Sequence, residues 1–174
     1  MGQMFLRPSF NQDLSKWDVS NVVSMERMFL QSSFNQPLGG WKVSKVRSMF
    51  MMFAQSLFNQ DLNNWDVSAV KNMYGMFYKS DFNQDLSSWV VHQVEPLEIM
   101  FAESKMEHLL EGWSESVMGN TQDMFYLSAL AKILGKENPS WEEVVSKIRE
   151  KNLIGVLVNE DAGVNPMRGG TRRL

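Results

Sequence analysis

Few groups in this sequence can do chemistry. The 174 residues include no cysteine and two histidines, His92 and His108. Without thiols there is no disulfide, no thiolate metal ligand and no cysteine nucleophile. Two histidines do not make a histidine-rich metal centre, and these lie 16 residues apart. General acid–base work needs two titratable groups held in contrasting environments, and no spacing here supplies them. No G-x-S-x-G, H-E-x-x-H, phosphate-loop or dinucleotide fingerprint occurs. Asp13, Asp61 and Asp85, beside Asp18 and Asp66, raise the question of calcium, which takes about six to eight oxygens from closely spaced donors. These acids are spread out, and Pro37 and Lys42 replace them in one stretch. The sequence therefore predicts no catalytic residue, no metal and no cofactor.

Charge narrows the partners. Lys and Arg number 17 against 20 Asp and Glu, a net charge of −3. Nucleic-acid binders normally carry a basic excess, so a nucleic-acid partner is not expected. No apolar run reaches the roughly 18 residues that span a bilayer, so direct membrane insertion is not expected either. The opening MGQMFLRPSFNQ lacks a basic stretch followed by an apolar one, so no signal peptide is read there.

The elements that position everything else are repeats. Met-Phe pairs fall at Met4-Phe5, Met28-Phe29, Met52-Phe53, Met76-Phe77, Met100-Phe101 and Met124-Phe125, each step 24 residues. Trp17, Trp41, Trp65, Trp89 and Trp113 keep the same period, as do Leu14, Leu38, Leu62, Leu86 and Leu110. Asn-Gln pairs recur at Asn11-Gln12, Asn35-Gln36, Asn59-Gln60 and Asn83-Gln84. A unit this short cannot bury its own apolar face, so the copies must stack.

Within the unit Ser9–Ser32, L-x-x-W-x-V places Trp17 and Val19 on one face of an extended segment. Val22, Met25, Met28 and Phe29 recur at helical or 3₁₀ spacing. The reading is an α/β repeat: a leucine-rich-repeat-like solenoid of about five 24-residue units over 1–120, each a short parallel strand and a short helical segment. The Trp, Met and Phe columns are expected in its core, stacking like on like. The Asn-Gln column is expected to bond backbone in the neighbouring coil at a turn.

The period fades after Met124-Phe125. A helical C-terminal cap is expected over 121–158, and a flexible tail over 159–174. Thr121 reads as the N-cap of a helix over Asp123 to Leu134 that stops at Gly135. Ser140 and Glu143 form a capping box for a second helix, whose apolar stripe is Val144, Val145, Ile148 and Leu153. Ile154 to Val158 reads as strand or packed coil. The N-terminal side opens within a unit, so its first full coil presents an edge that invites end-to-end contact with further coils or another chain.

Four units carry a family resemblance: FNQDLSKWDVSNVVSMERMF, FNQPLGGWKVSKVRSMFMMF, FNQDLNNWDVSAVKNMYGMF and FNQDLSSWVVHQVEPLEIMF. They resemble the tandem FNQ-LS-WDVS-NV-M-MF repeat of bacterial surface proteins, which is grouped with the BspA-like leucine-rich repeats and also occurs in protists and algae. The resemblance covers roughly residues 4 to 125. It implies a leucine-rich-repeat-like solenoid, cell-surface display, and protein binding or adhesion. It brings no catalytic residue.

The expected binding surface is the outward strand face between the core positions: Ser15, Lys16, Asp18 and Ser20; Lys42 and Ser44; Asn63, Asn64, Asp66 and Ser68; Ser87, Ser88 and His92. Extended faces of stacked repeats commonly hold partners. The expected function is non-catalytic binding of a protein that the sequence does not identify. The alternative is a rigid structural subunit of a larger assembly, with cap and tail as its contacts.

Overall fold

The computed structural model describes residues 9–113, 117 and 119–163, with side chains up to residue 153. The 24-residue units do lie side by side as coils, but the expected α/β solenoid is not how they are built. Among the described residues there is no sheet. Two isolated parallel bridges, Ser24 with Ser48 and Ser48 with Asn72, are the whole of the strand-like pairing. The regular elements are a 3₁₀ turn at Glu111–Trp113 and two helices, α1 (Ala129–Ile133) and α2 (Trp141–Gly163).

Each coil is a chain of tight turns. Trp41 N–H donates to Leu38 O at 3.0 Å, Val46 to Val43 at 2.8 Å, Met52 to Met49 at 3.1 Å and Ala54 to Met51 at 3.3 Å. A turn closed between residues i and i+3 brings both side chains to the same side. The three-residue spacing of Leu and Trp, Val and Val, and Met and Met is therefore turn spacing. The Trp-x-Val alternation suggests a strand, but the flanking turns leave no extended run long enough to pair.

The helical half fails for a related reason. Arg27, Met51, Ile99 and Asp123 share one position of the unit, and all have φ between 47° and 55°. Gln31, Gln55, Lys79, Glu103 and Leu127 share another and are likewise left-handed. A left-handed residue interrupts a right-handed helix and costs about 1–2 kcal/mol when it is not glycine. The third copy of the first position is Gly75, at φ 57°, where that cost disappears.

These left-handed residues set up the bonds between coils. Met25, Arg27, Phe29 and Gln31 donate their N–H groups to Ser48, Phe50, Met52 and Ala54 of the next coil at 2.8 to 2.9 Å. The next interface repeats this from Met49, Met51, Phe53 and Gln55 to Asn72, Tyr74, Met76 and Tyr78. Within these stretches the donors all point toward the C-terminal neighbour, and bonds of the opposite sense flank them, from Arg47 to Val23 O, from Asn72 to Arg47 O and from Leu57 to Ser32 O. A parallel sheet instead alternates donors and acceptors between both neighbours.

The columns fill the interior as expected. Phe29, Phe53, Phe77, Phe101 and Phe125 are fully buried, with successive rings stacked 5.3 to 5.7 Å apart. Trp41, Trp65 and Trp89 stack at 6.4 to 6.5 Å and nearly parallel. Trp17, on the first coil, is 40 % exposed. Each buried indole of the 24-residue column donates across the interface: Trp41 to Leu14 O, Trp65 to Leu38 O, Trp89 to Leu62 O and Trp113 to Leu86 O, at 2.8 to 3.0 Å. The amide ladder is present too. Asn11, Asn35 and Asn59 accept the backbone N–H of Asn35, Asn59 and Asn83 at 2.8 Å.

The cap closes the C-terminal end by imitating another coil. Pairing continues through the region expected to be helical, with Phe101 donating to Met124 O and Glu103 to Tyr126 O. The predicted helix over Asp123 to Leu134 thus shrinks to α1, capped by Ser128 rather than Thr121. Leu127 N–H, at the ladder's open end, donates to Glu137 O at 2.7 Å. Trp141 stacks on Phe125 at 6.4 Å, where a sixth phenylalanine would lie. The Ser140–Glu143 capping box forms in both directions, at 3.0 and 3.3 Å. Trp141, Val144, Val145 and Ile148 are buried at i, i+3, i+4 and i+7. Leu153 leaves that stripe and is 65 % exposed. Ile154 to Val158 are helical, as α2 runs to Gly163. Of the expected tail, residues 159–163 belong to α2, and 164–174 lie outside the described residues.

Candidate functional site

The residues predicted as a strand face lie along a row of turns. Asp13, Asp61 and Asp85 accept the N–H of Ser15, Asn63 and Ser87 at 2.8 to 2.9 Å. Asp18 and Asp66 accept from Ser20 and Ser68 at 3.0 and 3.1 Å. These are side-chain turns of the kind Asp favours. The hydrogen bonds from Ser20 and Ser68 hold the carboxyls of Asp18 and Asp66 below the ordinary value of 3.8. For Asp85 burial works in the opposite direction, and the bonds from Ser87, with His108 and the Leu86 N–H, together outweigh it. The acids weighed for calcium are thus engaged locally. Among the described residues, no group of three or more His, Asp or Glu is placed to hold a metal ion.

Stacking brings part of the predicted set together. Lys42, Ser44, Asn64 and Asp66 surround a shallow hollow of about 310 Å³, floored by Gly39, Gly40 and Trp41. Ser88 Oγ bonds Asn63 O at 2.7 Å in the preceding coil. Ser87 lines a separate hollow of about 420 Å³ with Asp85, His108, Glu111 and Lys151. Ser15, Lys16 and Ser20 sit on the first coil. His92 is exposed on the fourth, its Nε2 3.3 Å from Gln93 Nε2.

Three features escape the sequence reading. Ser32, Ser56, Ser80, Ser104 and Ser128 form a buried polar column. Their shared period is present in the sequence, but serine also recurs at turn positions such as Ser20, Ser44 and Ser68. Ser80 Oγ donates to Phe77 O at 2.8 Å and accepts Phe82 N–H at 3.3 Å, and Ser56 and Ser104 repeat both bonds. No described buried side-chain polar atom lacks a partner.

The second is a surface on the ladder wall, where Arg27 lies 4.9 Å over the Phe50 ring and Phe50 stacks on Tyr74 at 5.5 Å. The third is a groove of about 520 Å³ between the last coil and the cap, lined by Leu109, Leu130, Ile133 and Leu134 with Glu107, Lys136, Glu143 and Lys147 at its rim. No described helix is long and apolar enough to cross a membrane.

The comparison with protein families adds one decisive observation. The model of the family described as "Mycoplasma protein of unknown function, DUF285" matches residues 1–80 and 54–141. The chain belongs to that family. Between them the matches cover the described coils, and the second runs through α1 to the start of α2. No curated protein matches the chain, and no solved structure matches it.

Proposed function

We propose that this chain is a non-catalytic protein-binding module of the cell-surface, adhesion-repeat kind, and that it presents its row of turns to a protein partner. One observation carries the reading. Interior columns keep one residue type or swap it for another apolar one, as Leu97 does in a Met column and Met106 in a Phe column, while the turn columns change in charge and size. The Trp column is constant, whereas the position after it reads Asp18, Lys42, Asp66 and Val90, and the one before it Lys16, Gly40, Asn64 and Ser88. A rigid scaffold that varies the chemistry of its turn positions while its core stays apolar is suited to recognition. Likeness to the BspA-like surface repeats supports the same role and the surface location.

The test is partner retention. Ser15→Arg/Asn63→Arg places two bulky cations on the row without touching the core. The variant should keep the wild-type melting temperature and lose the partner that cross-links to the native chain. Full retention by the folded variant contradicts the reading.

The cap supports a second reading, a structural subunit held through its C-terminal end. Ile133 is 64 % exposed beside the apolar groove. Ile133→Asp would then disrupt the assembly while the turn-row variant leaves it intact.

A further inference from the structure

We propose that the exposed edge carrying Lys42, Lys45, Arg47 and Lys71 binds a short acidic segment of the partner protein. The proposal rests on the protein-binding reading and adds the chemistry of what is bound.

Charge is divided along the stack. Residues 9–80 hold seven Lys and Arg against five Asp and Glu, net +2, whereas residues 81–163 hold six against fifteen, net −9. The cations of the two halves are also treated differently. In the acidic half four of the six cations lie beside a carboxylate, Lys105 with Asp81, Lys136 with Glu143, Lys147 with Glu150 and Lys151 with Glu111, as does Lys79 with Glu103 at the border of the two halves. On the edge, the described bonds go to neutral acceptors in adjacent coils. Lys45 Nζ bonds Asn21 Oδ1 at 2.6 Å, Arg47 Nη1 bonds Ala69 O at 3.1 Å, and Lys71 Nζ bonds the Gln93 side-chain oxygen. These bonds hold the cationic heads in place without cancelling their charge. Asp18 and Asp66 lie near Lys42 but form no described ion pair with it, and their described hydrogen bonds go to Ser20 and Ser68.

The edge occupies two coils and all four cations are exposed. Coils lie about 4.8 Å apart at backbone hydrogen-bond spacing, and an extended segment advances about 3.3 Å per residue. The cations therefore match a handful of carboxylates. A long polyanion such as nucleic acid would run onto the acidic C-terminal half and be repelled.

The experiment titrates the isotope-labelled full chain with a hexaglutamate peptide at low salt and follows backbone amide shifts. Saturable shifts should centre on residues 42–47 and 71 and weaken as salt is raised. Arg47→Gln/Lys71→Gln should lower affinity at least tenfold. Lys132→Gln/Arg149→Gln, with the same change in net charge, should leave it within twofold. An absence of saturable shifts, shifts elsewhere, or equal loss in both variants overturns the proposal. Tighter binding to phosphatidylglycerol vesicles than to the peptide also overturns it, by assigning the edge to a lipid surface. The two readings fail separately. A partner lost by Ser15→Arg/Asn63→Arg but indifferent to Arg47→Gln/Lys71→Gln removes only the acidic-segment assignment.

Discussion

The indole Nε1–H of Trp65 donates to the carbonyl oxygen of Leu38, 27 residues earlier, at 2.9 Å. The same oxygen accepts the N–H of Trp41 at 3.0 Å, which closes the turn in its own coil. One acceptor thus fixes the shape of a coil and its register on the next. Trp65→Phe keeps most of the ring but removes the cross-coil donor and leaves a small void, so a loss of about 2 kcal/mol is expected. Trp17→Phe, at the 40 % exposed member of the column, should cost less than about 1 kcal/mol. Urea denaturation of the two variants measures the difference.

Ser80→Ala tests the buried serine column. It removes the acceptor of Phe82 N–H and the donor to Phe77 O, leaving a polar backbone group buried. That costs about 1–3 kcal/mol. An equally conservative change at exposed Ser88 should fall within about 0.5 kcal/mol.

Gly112 shows how closely the last coil seats on its neighbour. A Cβ placed there would lie 1.9 Å from Ser87 O. The backbone cannot yield by that much locally, so Gly112→Ala should cost about 3 kcal/mol. Gly75→Ala meets only side chains, at 3.4 Å and beyond. Its cost is the left-handed φ of 57°, about 1 kcal/mol. Thermal melts should rank Gly112→Ala well below Gly75→Ala.

Acid sensitivity follows from the Asp turns. Backbone and side-chain bonds from Ser15 lower Asp13, and bonds from Ser20 and Ser68 lower Asp18 and Asp66. A carboxyl with a depressed folded-state pKa lends stability that is present above its unfolded value and lost as pH falls through the folded one. The loss therefore lies below pH 3.8. Asn accepts the same turn hydrogen bond without titrating. Asp13→Asn/Asp18→Asn/Asp66→Asn should hold its urea midpoint to lower pH than wild type, and parallel decline of the two would contradict this account.

What the sequence made legible was the stacking. The 24-residue recurrence of Trp, Leu and Met-Phe follows from the need to superpose like residues in successive coils, so both the core and the Asn ladder could be read directly. The conformation inside the unit could not. Three-residue spacing fits a 3₁₀ helix and a series of turns equally well, and the left-handed residues carry no common side-chain type: Arg27, Met51, Ile99 and Asp123 share a φ but no chemistry. The Trp-x-Val alternation fits a strand, yet Asp–Ser turns bend the chain there. The residues of the turn row read from the sequence as a strand face, and the column of Arg47 and Lys71 draws no notice because it also holds Val23 and Glu95. Only the bonds to the adjacent coils reveal them as an edge.

The central claim is that neighbouring coils are joined on one wall by a one-way ladder with a register of 23 residues. Scalar couplings across hydrogen bonds report it directly. The amide nitrogens of Met49, Met51, Phe53 and Gln55 should couple to the carbonyl carbons of Asn72, Tyr74, Met76 and Tyr78, and the carbonyls of residues 49, 51, 53 and 55 should show no coupling to that neighbour. Couplings from the amides of 74, 76 and 78 back to the carbonyls of 49, 51, 53 and 55, as in a parallel sheet, or pairing of those four amides at any other separation, would contradict it.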